Sequence, residues 1–295
     1  MGPRCYSPER LNDALQYLHR YGDKLVILAG GTDLLVHYYE RYHQLDRVLN
    51  IWELEELKKI EIVDGQIEIG SLVTHTQLTE SDIILTHAPI LAEGASEVGS
   101  PQIRNRGTIG GNVANASPAG DITTPLIALD AQVKIVSLDR GEELIPVTDF
   151  LTGPGRSILK KDEMIVSFVF PIPSRNCYGS FVKLGLRKAL AISTVNTAVT
   201  LTFKGRVIKD CRIVMGAVAP TPIRARLSEE LIRGREMDGE LANQLLKQLE
   251  GEISPISDIR SSASYRLKTA GELVIMAIEN IFNEGGLTNG RTISD

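Results

Sequence analysis

Two segments of this chain place adjacent glycines beside small or polar residues: Ala29 to Leu35, AGGTDLL, and Thr108 to Asn112, TIGGN. Adjacent glycines let a loop turn tightly and point several backbone N–H groups at one acceptor, which is the chemistry of anion binding. Two such segments suggest a bipartite cradle for a diphosphate. The spacing excludes the common nucleotide fingerprints. Gly30 and Gly31 are adjacent, so GxGxxG is absent, and no GxxxxGK followed by Ser or Thr occurs. A tight turn or a close backbone crossing is the other reading of a glycine pair.

Other residue types with chemical potential carry less. Cys5, Cys177 and Cys211 form no CxxC pair and cannot supply the four thiolates an iron–sulfur cluster usually needs. The histidines His19, His37, His43, His75 and His87 lack an HExxH arrangement or a cysteine at ligand spacing, so no metal site is expected and surface or half-buried imidazoles are.

The elements that must position the glycines can be read from periodicity. Ser7, Pro8 and Glu9 read as an N-cap, a first-turn proline and an acidic first turn, ahead of Leu11, Ala14, Leu15 and Leu18 at helical spacing and a stop near Gly22. Lys24 to Ala29 reads as a buried parallel strand, Thr32 to Tyr39 as a helix and Arg47 to Ile51 as another strand, a βαβ-like unit. The first glycine pair then sits between a strand end and a helix start, where unpaired N–H groups and the helix dipole favour an anion. Lys58 to Val63 and Gln66 to Gly70 alternate around Asp64-Gly65, a hairpin signal. A helix is expected over Ala88 to Val98, mostly loop from Ser100 to Asp121, and strands at Gln132 to Ser137, Glu143 to Val147 and Met164 to Phe170. Pro171, Pro173 and Ser174 mark a domain boundary. Beyond it, Phe181 to Leu186, Thr194 to Phe203 and Val207 to Val218 read as three strands, and Ile223 to Arg233, Gly239 to Leu249 and Ser264 to Asn283 as helices, the last ended by Gly285 and Gly286.

Composition sets the frame. The 295 residues are 43% hydrophobic and 23% charged, enough for two domains with ample core. A net charge of -5 argues against nucleic acid or anionic lipid as the main partner, so a bound phosphate must be held locally by backbone dipoles and a few cations. No apolar run approaches a membrane span and MGPRCYSPERL lacks a signal-peptide core, so a cytoplasmic protein without membrane insertion is expected.

The run PQIRNRGTIGGNVANASPAGD, Pro101 to Asp121, together with AGGTDLL resembles the FAD-binding subunit or domain of molybdenum hydroxylases, the xanthine dehydrogenase and carbon monoxide dehydrogenase flavoproteins. The resemblance spans nearly the whole chain. It implies an α+β fold: a two-subdomain FAD-binding domain of the vanillyl-alcohol oxidase-like (PCMH) type over residues 1–173, with subdomains near 1–53 and 54–173. A C-terminal domain over 174–295 would follow, built from a three-stranded antiparallel sheet and a helical bundle. Carried over position by position, Ile27, Leu28, Ala29, Gly30, Gly31, Thr32, Asp33 and Leu34 would form the first pyrophosphate loop, and Thr108, Ile109, Gly110, Gly111 and Asn112 the second. The backbone N–H groups of Gly30, Gly31, Thr32, Gly110 and Gly111 would be the donors.

Asp121 matches a position that contacts FAD, and a ribose or ribityl hydroxyl is its expected partner because a carboxylate only accepts hydrogen bonds. Asp33 is expected to cap the following helix, Arg104 and Arg106 to offset phosphate charge or to pair within the loop, and Asn105 and Asn112 to order it. Val98 and Ile165 would pack on the cofactor, Lys183 would bring a cation near the flavin, and Ile192 would cover the ring. Where the family carries an acidic pair after that lysine, this chain has Leu190 and Ala191, so NAD+ does not follow as acceptor.

The function implied is an oxidoreductase subunit, the FAD-carrying part of a heterotrimeric molybdenum hydroxylase. Electrons would reach it from [2Fe–2S] clusters on a small iron–sulfur subunit, with the molybdopterin cofactor on a large subunit, and leave to NAD+ or another acceptor. No catalytic residue beyond the flavin is expected here. A self-contained flavin oxidoreductase of the vanillyl-alcohol oxidase-like fold, or a non-catalytic FAD-binding assembly module, are the alternatives.

Overall fold

The computed structural model describes the backbone of residues 3–41, 46–187 and 190–285. His43 and Gly286, named above, lie outside the described residues.

The N-terminal portion is a small parallel sheet with helices. Strands β1 (Arg4–Tyr6), β2 (Leu25–Leu28) and β3 (Arg47–Asn50) lie in the order β1-β3-β2, and helix α2 (Leu34–Arg41) makes the crossover from β2 to β3. This is the expected βαβ unit with one more strand. Helix α1 (Leu11–Tyr21) buries Ala14, Leu15 and Leu18. Its cap differs from expectation. Arg10 is the N-cap without a side-chain cap bond, and the Leu11 N–H instead donates to Glu56 Oε1 at 2.6 Å, so a carboxylate from the short 3-10 helix Glu55–Leu57 supplies what Ser7 was expected to supply.

The next layer is a five-stranded antiparallel sheet. The hairpin β4 (Ile60–Val63) and β5 (Gln66–Gly70) turns at Asp64 and Gly65, both at positive φ, as a two-residue hairpin turn requires. Strands β6 (Gln132–Ser137), β7 (Gly141–Pro146) and β10 (Glu163–Pro171) complete the order β4-β5-β10-β6-β7, and a short hairpin, β8 (Leu151–Gly153) with β9 (Arg156–Ser157), stands apart. Residues 163–170 are buried without alternation because β10 is covered on both faces. Val136, Met164 and Val166 pack with α1 and the small sheet, while Ile67, Ile69, Val133, Ile135, Phe168 and Phe170 face a layer of short helices.

Those helices are α3 (His75–Glu80), α4 (Asp82–His87), α5 (Pro89–Ser96), α6 (Pro101–Arg104), α7 (Ile109–Ala114), α8 (Thr123–Ala128) and α9 (Val147–Phe150). The stretch from Ser100 to Asp121, expected to be mostly loop, is loop interrupted by two short helices, α6 and α7. Ser100 and Thr108 cap α6 and α7 by accepting from the Ile103 and Gly111 N–H groups, and burial of Ile109 and Val113 offsets the poor helix propensity of two glycines.

The C-terminal portion has three long antiparallel strands, β11 (Cys177–Gly185), β12 (Ser193–Lys204) and β13 (Val207–Gly216), and a two-residue edge strand, β14 (Ile223–Arg224). The sheet is thus four-stranded, and the expected helix at Ile223 begins only at α10 (Arg226–Ile232). Helices α11 (Gly239–Glu250) and α12 (Ala263–Glu284) cover one face. The other face packs on the short-helix layer, with Phe181, Ala198 and Val214 in the same core as α5 and α8. Asp130 at the end of α8 pairs with Arg212 and Arg224, adding a polar tie across this contact.

Candidate functional site

A cavity of about 620 Å³ opens where the small parallel sheet, the short-helix layer and the C-terminal sheet meet. That is a volume typical of a small-molecule or cofactor site. Ile27, Ala29, Gly30, Gly31, Thr32, Asp33 and Leu34 line it from one side, and Thr108, Gly110, Gly111 and Asn112 from another. Val98, Asp121, Ile165 and Ile192 also line it. Three expected residues do not. Ile109 is fully buried in the helix-layer core, Leu28 lies under the loop against Gly31, and Lys183 points toward Asp121 from behind the wall.

The two glycine segments meet directly. A Cβ on Gly30 would lie 1.8 Å from the Arg106 carbonyl oxygen, so only glycine allows this crossing. Gly31 has φ +76°, the left-handed turn that swings the chain from β2 into α2. Among the described residues, the N–H groups of Gly30, Gly31, Thr32, Asp33 and Leu34 have no protein acceptor. They form a donor cluster at the N-terminus of α2, where the helix dipole adds positive potential.

The second segment is different. The Gly110 N–H donates to Ser71 O at 2.9 Å, and the Gly111 N–H to Thr108 Oγ1 at 3.1 Å. Both expected donors are thus already engaged, because the segment is a capped helix turn docked on Ser71 rather than an open loop. What it can still offer is the Thr108 hydroxyl proton, since Thr108 Oγ1 uses only its acceptor side toward Gly111.

The charged residues also fall differently from expectation. Asp121 Oδ2 accepts from Lys183 Nζ at 2.6 Å, and Oδ1 accepts from Ser193 Oγ at 2.5 Å and Asn196 Nδ2 at 2.9 Å. Lys183 Nζ also donates to Glu97 O at 2.8 Å. The Asp121 carboxylate is therefore committed to β11 and β12, and its charge is cancelled within the wall. Arg106 stacks on Trp52 with its guanidinium carbon 3.7 Å from the ring centroid, and Arg104 donates to Val98 O at 3.1 Å. Neither lines the cavity, and neither has an ion pair among the described residues. Asp33 makes no cap bond among the described residues; its carboxylate lies 3.5 Å from His37 Nε2. Asn105 Oδ1 accepts from the Thr76 hydroxyl at 2.6 Å, which orders the loop as expected. No Lys or Arg lines the cavity among the described residues, so an anion there would be held by backbone dipoles.

The wall also contains residues that the sequence reading did not single out. Ser71, His75, Asn115, Ser117, Leu159 and Met164 all line the cavity. His75 is 2% exposed, not a surface imidazole, and burial with help from the Arg104 charge pulls its pKa down to about 4. It is neutral at physiological pH. Ser71 Oγ, His75 Nδ1 and Asn112 Oδ1 are buried without a partner among the described residues. The one local signal for this turn is the capping box Thr74-x-x-Gln77, which starts a helix just after β5 and so puts Ser71 to Thr74 at a strand end.

These features fit a flavin dinucleotide: free donors for its diphosphate, unpaired polar atoms for its linker, and Val98, Ile165, Leu159 and Met164 as apolar wall for its rings. Comparison with known proteins points the same way. Residues 2–173 match the family model of the FAD binding domain in molybdopterin dehydrogenase, and residues 180–281 that of the CO dehydrogenase flavoprotein C-terminal domain. The chain is 35% identical over 243 residues to the xanthine dehydrogenase FAD-binding subunit of Escherichia coli O157:H7, covering 82% of this chain and 83% of that one. It is 35% identical over 267 residues to the nicotinate dehydrogenase FAD-subunit of Eubacterium barkeri, covering 88% and 90%. Its structure resembles a chain of the carbon monoxide dehydrogenase from Hydrogenophaga pseudoflava, with TM-score 0.92 and 28% identity over 96% of this chain and 98% of that one.

Proposed function

The chain belongs to the family of FAD-binding subunits of molybdopterin dehydrogenases, and from that premise we propose that it is the medium subunit of a three-part molybdenum hydroxylase. It is an oxidoreductase subunit whose cofactor is FAD. The observation that carries the reading is the run of five N–H groups from Gly30 to Leu34 that have no protein acceptor among the described residues, at a cavity that none of the described Lys or Arg residues lines.

When bound, FAD would supply the redox chemistry, with [2Fe–2S] clusters on a small subunit as the proposed electron source and NAD+ or another acceptor as the proposed outlet. This chain's residues hold and orient it. Gly30 to Leu34 hold the diphosphate, with the Thr108 hydroxyl as a further donor. Val98 and Ile165 pack on the rings. The Asp121–Lys183 pair fixes β11 against the helix layer, which places Leu190, Ala191 and Ile192 over the cavity mouth. Those three make the mouth apolar. The Arg187 guanidinium holds that turn by donating to Leu190 O at 2.8 Å.

Partner dependence follows from the ligand inventory. Three separate cysteines cannot hold the iron–sulfur clusters that would feed the flavin, so a small iron–sulfur subunit and a large molybdenum subunit are proposed as partners. Substrate choice would lie in the large subunit. The same reading divides the chain into a PCMH-type FAD domain at 1–173, with subdomains near 1–53 and 54–173, and a C-terminal domain at 174–295. No helix among the described residues is long and apolar enough to cross a membrane.

The test is to purify the chain alone and with its two proposed partners. Alone it should retain FAD at one per chain and turn over no heterocycle or aldehyde; with the partners, substrate should bleach the flavin. Turnover of an organic substrate by the isolated chain would overturn the subunit reading.

A further inference from the structure

We infer that Ser71 and His75 are cofactor-binding residues: Ser71 Oγ and His75 Nδ1 hydrogen-bond the polar linker of the dinucleotide, the hydroxyls and phosphates between its two ring systems. The inference rests on the FAD reading above and adds two contacts that the glycine segments do not announce.

Both side chains are almost fully enclosed, at 3% and 2% exposure, and both line the cavity. Neither Ser71 Oγ nor His75 Nδ1 has a partner among the described residues. A buried polar atom left without a partner is costly, and nearly all such atoms in folded proteins are satisfied. Two on one cavity wall call for an occupant that supplies hydrogen bonds there.

Their positions say which part of the occupant. Ser71 O accepts the Gly110 N–H, and the His75 N–H donates to Gly107 O at 3.1 Å. Gly107 in turn lies beside Gly30, whose Cβ position is 3.2 Å from the Gly107 nitrogen. Ser71 and His75 thus stand at the seam between the two glycine segments, next to the free N–H groups of Gly30 to Leu34. On the FAD reading those N–H groups hold the diphosphate, so the part of the occupant nearest Ser71 and His75 is the linker around it. A linker of hydroxyls and phosphates offers both donors and acceptors, matching a serine hydroxyl that can do either and an imidazole held neutral by its burial.

The test is FAD binding by the apo form of the whole chain, read as quenching of flavin fluorescence, with apo thermal stability measured in parallel. Ser71→Ala removes the hydroxyl and keeps the Cβ on which Gly110 packs. His75→Gln puts an amide near the Nε2 position and empties Nδ1, whereas His75→Asn puts one near Nδ1. Ser71→Ala and His75→Gln should each weaken FAD binding about fivefold to tenfold, and His75→Asn should stay within about twofold of the wild type. Unchanged affinity in Ser71→Ala and His75→Gln would overturn the inference, as would a loss of affinity in all three that tracks a fall in apo stability. A wild-type chain that takes up no FAD would instead overturn the cofactor reading itself, so the two failures are distinguishable.

Discussion

The two glycine segments look alike in sequence and do different work. At Gly30-Gly31 the chain leaves β2, passes the backbone of Arg106 too closely for any side chain, and enters α2 with five N–H groups unspent among the described residues. At Gly110-Gly111 the glycines sit inside α7, whose N–H groups are used on Ser71 and on the Thr108 cap. The first segment is a donor cluster. The second is a packing surface that lets α7 lie against Ser71 and form the opposite wall. A glycine pair signals close approach in both cases, and only the fate of its N–H groups separates binding from packing.

Substitutions can break this contrast, beginning with the largest effect. Gly30→Ala places a methyl on the Arg106 carbonyl and should cost more than about 3 kcal/mol together with loss of FAD uptake, measured by chemical unfolding and flavin content. The seam between the segments should be acid-sensitive. His75 is pulled down to about 4 from 6.5, so between those values the unfolded chain takes up a proton that the folded chain refuses. Stability should fall as pH drops from about 6.5 to about 4, by up to roughly 3 kcal/mol, and His75→Asn should flatten that part of the pH profile of apo thermal unfolding.

Gly110→Ala would bring a Cβ within 2.6 Å of Ser71 Cβ and 2.7 Å of Ser71 O, and should destabilise the apo protein by about 1–3 kcal/mol in denaturant melts. Thr108→Ala removes the α7 cap and its spare hydroxyl proton, for a loss of about 1 kcal/mol in stability and a smaller loss of FAD affinity. Gly111→Ala should be the mildest. Its Cβ would meet only Thr108 Oγ1, at 3.0 Å, so a stability change under about 1 kcal/mol is expected, with the methyl felt mainly as weaker FAD binding in a titration. If Gly110→Ala and Gly111→Ala behaved alike, the division between packing and lining within this pair would be wrong.

Much of the fold was legible because it is written in local pattern. The Asp64-Gly65 hairpin, the β2–α2–β3 crossover, the three long C-terminal strands and the apolar face of α12 all follow from periodicity and turn chemistry. The misses share a cause. The Leu11 N–H is capped by Glu56, α7 forms over two glycines because it docks on Ser71 and Val73, and Arg224 joins a strand while pairing with Asp130. Each depends on a group far away in the chain, which no local window contains.

The same holds for the site. Residue type alone determined that Gly30 to Leu34 could turn tightly and offer N–H groups, that Asp121 could only accept, and that three cysteines could not hold a cluster. Tertiary structure decided which of these capacities remained free. It committed the Asp121 charge to Lys183, Ser193 and Asn196, used the Gly110 and Gly111 donors in packing, and buried His75 and Ser71 with unpaired atoms at the seam. A sequence lists hydrogen-bonding groups, but whether each is already paired depends on what folds beside it, and only the unpaired ones are left for a ligand.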